Sequence, residues 1–262
     1  MRPRRDRGRR GRTAGDQPRE SMMTDRTFIH GGPCSGCSLG AGSACHLAAL
    51  PRLRQRVLPA DTVLFHQGDR PRQLGILRSG YMRIVRLNAD GRRMGLDFAV
   101  PGDLLGGLPG HRIDYTVESA TDAEVCLADG AGLEQGMRAA PALRRQVLRG
   151  LADQLLRVQE QIWLRGRLTS RERIIAFLVR ATASMPADLR PDGSVIVEVV
   201  LPRRDWADLT DTAVETVSRT MTALAAQGEL QNLGQGRYRI ANLARLADLA
   251  RLDTTEIPGH AA

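Results

Sequence analysis

The sequence predicts an α+β fold in three parts: an N-terminal antiparallel β-roll, one long helix, and a C-terminal winged helix-turn-helix. Three observations predict it. Between Val57 and Leu127, short apolar and β-branched runs alternate with glycine, asparagine and aspartate turns, the pattern of small antiparallel sheets. From Pro141 to Arg167 no further proline interrupts apolar residues spaced by three and four. Residues 201–240 then read as a short helix, a polar turn, a second helix and a hairpin.

The totals agree with this division. A chain of 262 residues holds two domains of ordinary size, and 42% hydrophobic content is that of a globular protein. No apolar run is long enough to span a bilayer and the N-terminus lacks a secretory segment, so a cytoplasmic location with no membrane partner is expected. A net charge of +9 suits a polyanionic partner. All 38 basic residues are arginine, so every cationic contact must come from a guanidinium. An enzyme is not expected: no nucleophile, base and orienting group meet in a recognisable spacing.

In chain order, residues 1–33 read as a disordered basic arm, with eight arginines against three acids in the first twenty positions. Such an arm can touch phosphates; as Met22 and Met23 offer later starts, it can also be dispensable. Residues 34–140 hold a cysteine loop and the β-roll. Cys34, Cys37 and Cys45 lie in a Gly- and Ser-rich stretch too polar to pack a core, and Cys126 lies on an expected strand. Three thiols in a chain-reversing loop suit a metal or cluster, and soft thiolate sets select zinc or iron–sulfur. Spacing leaves zinc open, with His46 as a possible ligand, and leaves Cys126 open as a core thiol.

Strands are expected over residues 62–69, 73–80, 81–87, 95–98 and 116–119, with an Asn-Ala-Asp-Gly hairpin at 88–91. Residues 141–168 form the long helix. Leu148, Leu151, Leu155, Val158 and Ile162 draw a coiled-coil seam on it, while Leu143, Val147 and Leu156 are expected to pack on the roll. Two apolar faces on one helix point to a homodimer.

Residues 169–252 form the winged unit, opened by a helix that Thr169 caps. A strand over 195–200 leads to a helix from Arg203 to Leu209, a Thr-Asp-Thr turn, and a helix reaching Gln227. Val214, Val217, Met221 and Leu224 should face its core, leaving Glu215, Ser218 and Arg219 together outside. In a major groove Arg219 can take guanine O6 and N7, Glu215 can accept from a cytosine amine, and Ser218 is adaptable. An ordinary surface ion pair has the same spacing. Gly228 stops the helix, Gly-Gln-Gly turns the hairpin, a short helix covers 242–252, and residues 253–262 fray.

Residues Arg203 to Arg219, ending Val-Glu-Thr-Val-Ser-Arg, resemble the recognition element of the CRP/FNR superfamily of bacterial transcription regulators, in its FNR branch. The resemblance implies that Arg203, Thr212, Val214, Glu215, Ser218 and Arg219 contact double-stranded DNA at a TTGA-type palindrome, with RNA polymerase as a further partner. It implies a four-iron four-sulfur cluster on Cys34, Cys37, Cys45 and Cys126, with zinc as the alternative, and a dimer that oxygen weakens. It also implies a cyclic-nucleotide-binding-like roll. Gly106-Gly107 and Asp114-Tyr115-Thr116 stand where nucleotide binders place Gly-Glu and Arg-Ser, so no cyclic nucleotide is expected. Two departures matter: Thr210-Asp211-Thr212 replaces an apolar, glycine-containing turn, and Val158 stands where well-known members are acidic.

Overall fold

The computed structural model describes residues 24–28, 53–108 and 110–252. Strands β1 (Thr24–Phe28), β2 (Leu53–Leu58), β4 (Gln73–Ser79), β7 (Leu104–Leu105) and β9 (Ala123–Asp129) form one sheet of the roll, in the order β1-β2-β9-β4-β7. Strands β3 (Val63–Phe65), β5 (Met82–Leu87), β6 (Arg93–Ala99) and β8 (Thr116–Ser119) form the other, in the order β3-β8-β5-β6. Alternate residues of the two sheets meet inside, where Leu58, Phe65, Leu77, Met82, Val117 and Val125 are buried together.

Helices α1 (Gly130–Ala139) and α2 (Pro141–Arg167) close the outer face of the first sheet, with Leu133, Leu143 and Val147 against Leu53, Leu74, Ile76 and Ala128. Three glycines in ten residues hide α1 from a periodicity reading. It forms because Asp129 accepts from the amides of Ala131 and Gly132, both at 3.1 Å, and Leu133 is fully buried.

The C-terminal unit comprises α3 (Ser170–Ser184), β10 (Ala187–Leu189), β11 (Val195–Glu198), α4 (Arg203–Thr210), α5 (Val214–Ala226), β12 (Leu230–Gly234), β13 (Arg237–Ile240) and α6 (Leu243–Leu249). Thr169 caps α3 in a reciprocal box with Glu172, as the sequence predicts. The core of this unit runs on into the roll: Phe98 of β6 meets Phe177 of α3 edge to face, and Phe177 meets Trp206 of α4. Among the described residues no helix is long and apolar enough to cross a membrane.

Four expectations need correction. Thr24–Phe28, placed in a disordered arm, is a strand paired with β2. Leu156 is exposed rather than packed on the roll. The roll-facing line of α2 is Leu143, Val147, Gln154, Arg157 and Leu164, and Gln154 and Arg157 meet the roll through Leu104 O, Asp97 and Asp103. The helix turns a polar lower half inward, and Leu156 lies off that line. Val214 is also exposed, because a first-turn side chain points back past the open helix end instead of into the core. The strand expected over 62–69 shrinks to Val63–Phe65, as Gly68 takes a φ of +93° and His66 to Asp69 form a turn. The expected tail, 253–262, lies outside the described residues.

Candidate nucleic-acid interface

Helix α4 ends because Asp211 adopts φ 50° and ψ 56°, a left-handed conformation that aspartate tolerates better than most residues. Its neighbours replace the expected apolar contacts with hydroxyl chemistry. Thr210 Oγ1 donates to Trp206 O at 2.6 Å and lies 3.1 Å from Thr212 Oγ1, while Thr212 N donates to Ala207 O. Arg173 of α3 then cradles the turn, donating to Thr210 O at 2.7 Å, Asp211 O at 3.0 Å and Leu168 O at 2.9 Å. Nothing in the sequence distinguishes Arg173 from the other arginines beside it.

This turn aims α5. Val217, Thr220, Met221 and Leu224 are buried against the unit's core, and Glu215, Ser218, Arg219 and Thr222 are exposed. Glu215 and Arg219 sit one turn apart with Ser218 between them, so the predicted trio occupies one open face. Thr222, which sequence reasoning passed over, continues that face and donates Oγ1 to Ser218 O at 3.1 Å.

Of the other three expected contacts, Val214 is exposed at the start of α5, and Thr212 and Arg203 are placed differently. Thr212 is half-buried and held in the turn's hydroxyl pair. Arg203 is also half-buried. Its guanidinium lies over the Trp206 ring at 4.2 Å and the Tyr238 ring at 5.4 Å, and Nη2 donates to Tyr238 Oη at 2.8 Å. It thereby ties the start of α4 to the wing strand β13, and its Nη1 is buried without a hydrogen-bond acceptor. Behind the wing, Asp192 accepts from the Ser194 hydroxyl and amide and pairs with Arg239, and these contacts hold its carboxyl down at about 2.

On α2, Leu148, Leu155, Val158 and Ile162 of the expected seam are all exposed, Ile162 by 67%, while Leu151 leans half-buried toward the roll. Leu156 and Trp163 add an exposed apolar pair seven residues apart on the same helix.

Cys126, on β9, is buried and stands in register with Gln55 of β2 and Ile76 of β4. Paired residues share a sheet face, so its thiol lies on the outer face with Ile76, not among the residues inside the roll. Cys34, Cys37 and Cys45 lie outside the described residues. They fall between Phe28, the end of β1, and Leu53, the start of β2, which pairs with Ala128, two positions from Cys126. In the segment between β7 and β8, Ile113 is buried inside the roll with Tyr115 packed on it, and Asp114 is exposed beside Arg112 at 3.4 Å.

Comparison with known proteins shows a cyclic nucleotide-binding domain at residues 55–139 and a Crp-like helix-turn-helix domain at residues 172–249. The nitrogen fixation regulation protein FixK of Azorhizobium caulinodans is 30% identical over 176 residues, which cover 66% of this chain and 70% of FixK. The chain belongs to the CRP/FNR family of transcription regulators. The transcriptional activator protein FnrL of Cereibacter sphaeroides is 26% identical over 87% of this chain and 95% of its own length. Among solved structures, FixK2 from Bradyrhizobium japonicum superposes with a TM-score of 0.66 at 26% identity, covering 74% of this chain and 96% of FixK2.

As a CRP/FNR regulator the chain binds DNA through its helix-turn-helix, in which α5 carries the exposed Glu215, Ser218 and Arg219. Its turn is the local departure. Asp211 takes the left-handed position there, and two threonine hydroxyls and Arg173 hold the turn.

Proposed function

We propose that this regulator is a homodimeric activator that responds to oxygen or redox state and reads a TTGA-type palindrome. The observation behind it is the open face of α5, where Glu215, Ser218 and Arg219 stand side by side over a fully buried Val217. Arg219 supplies a forked donor pair for guanine, and Glu215 accepts from cytosine on the opposite strand. The exposed line of Leu148, Leu155, Val158 and Ile162 is the dimer seam, since a two-fold pair of reading helices matches a palindrome. Val158 is apolar, which favours the paired state.

In this reading Cys34, Cys37, Cys45 and Cys126 hold a four-iron four-sulfur cluster. Cys126 fits such a site: its thiol lies on the outer face of the sheet, beside the point where the cysteine-bearing segment rejoins. When bound, the cluster supplies oxygen-labile thiolate bonds that tie that segment to the sheet. Cys126 anchors its side of the tie through β9, the central strand that also seats α2. The roll serves as scaffold without a cyclic nucleotide, because Ile113 is buried in its interior with Tyr115 packed against that core, and Asp114 would repel a phosphate.

Selection from random duplexes tests the reading head. Wild type should enrich TTGA-type half-sites and Arg219→Ala should lose the preference at the guanine position; the same enriched sequence from both would remove Arg219 as reader. Iron and sulfide analysis under nitrogen tests the sensor. Four irons with four sulfides are expected, whereas stoichiometric zinc, or no metal, would leave a DNA-binding regulator without this redox response.

A further inference from the structure

The reading unit and the roll meet along a seam that none of the family-level assignments above uses. Helix α4 lies against strand β6, where Gly95 permits contact with its backbone: a Cβ at Gly95 would stand 3.0 Å from Asp208 C and 3.1 Å from Leu209 N. Around this point the contacts are charged. Arg83 Nε of β5 is 3.2 Å from Asp205 Oδ2, a charge pair rather than an aligned hydrogen bond, and Asp205 is 2% exposed. Arg83 also pairs with Glu118 and Asp61. Arg93 of β6 spans Glu118 at 2.5 Å and Asp208 at 3.2 Å. From α2, Arg165 Nη2 donates to Gly95 O at 2.6 Å and to Leu209 O at 3.4 Å.

Three elements therefore converge on Gly95: the roll, the long helix and the first helix of the reading unit. We propose that this seam is a latch, and that its closed form is the one that grips a two-fold operator, with Arg83, Arg93 and Gly95 as positioning residues. The inference rests on the dimeric reading given above. A charge left without its partner in a sheltered seam is costly, so the seam is closed or open with little between. Arg173 fixes the turn between α4 and α5, so α5 follows α4. Closing the latch then sets the distance from the dimer helix to each reading helix. A palindrome needs that distance fixed, because its half-sites lie one helical turn apart. An open latch leaves each unit pivoting on Phe98 and Phe177, and binding both half-sites then costs orientational freedom.

The experiment uses the full-length dimer prepared under nitrogen, with affinity measured on the palindrome and on a duplex holding one half-site. Arg93→Ala and Asp208→Ala, which remove the less buried pair and spare folding, should each weaken palindrome binding on the order of tenfold. The double variant should be no weaker than Arg93→Ala alone, since Asp208 enters the seam through Arg93. Half-site affinity and the dimer's sedimentation should not change. Gly95→Val, which pushes α4 off by bulk alone, should show the same selective loss. Palindrome affinity that stays unchanged or rises in these variants, or a loss equal on both duplexes, overturns the latch while leaving the reading head intact. Wild type indifferent to the palindrome would instead overturn the proposed function and the latch with it.

Discussion

The two sheets of the roll hold their neighbours by opposite means. The sheet with Cys126 is joined to α1 and α2 by leucines and valines, whereas the sheet of β5 and β6 is joined to α4 by arginines and carboxylates. Apolar burial is non-directional. Charge pairs in a sheltered seam demand partners in place. In the latch proposed above, the cysteine sheet and α2 are the fixed body, and the reading unit is the part that is set or released about the apolar contact of Phe98 with Phe177.

Breaking each joint should look different. Arg83→Ala leaves Asp205 buried without its cation and should cost about 3–5 kcal/mol in denaturant unfolding, an effect that Asp205→Asn in the same chain should largely relieve. Leu143→Ala opens a cavity under α2 and should cost about 2–5 kcal/mol, with no second change restoring it except one that refills the space. Thr169→Ala removes one half of a capping box and should cost about 1 kcal/mol, read by thermal melting.

Acid and base sharpen the contrast further. Burial raises the Asp205 carboxyl, with Arg83 and Arg93 opposing and Asp208 and Glu118 adding to the rise. Burial likewise raises Asp97, against Arg157 and Arg180. Groups raised on folding contribute stability below their ordinary value near 3.8 that is lost as pH climbs through the raised one. Asp192 runs the other way: its contribution is present above 3.8 and lost as pH falls toward about 2. A stability profile of Asp205→Asn should therefore be flatter than wild type on the alkaline side of pH 3.8, and its acid limb should be unchanged.

Much of the reading unit was legible because it is local. Val217, Met221 and Leu224 repeat at helical spacing, Gly228 stops α5 at a φ of +74°, and the hairpin turn is glycine-flanked. Asp211 is a residue type that tolerates the left-handed region, and the structure puts it there at φ +50°. Long-range features were not legible. Arg83 and Arg93 look like the solvent face of a hairpin until α4 arrives, and Asp205 looks like a helix-start acid until Arg83 is opposite it. Arg157 and Gln154 turn toward the roll because Asp97, Asp103 and Leu104 O are there, which a search for apolar stripes cannot find. The resemblance makes Arg203 a DNA contact by its place in the motif, whereas the aromatic pair that holds it comes from α4 and from the wing.

The central claim is that the cysteine set governs how α5 meets DNA. Its most direct measurement is the affinity of one preparation for a TTGA-type palindrome, first under nitrogen and again after exposure to air. The account predicts tight binding that falls together with the loss of iron and sulfide. Equal affinity before and after, with the metal gone, would contradict it.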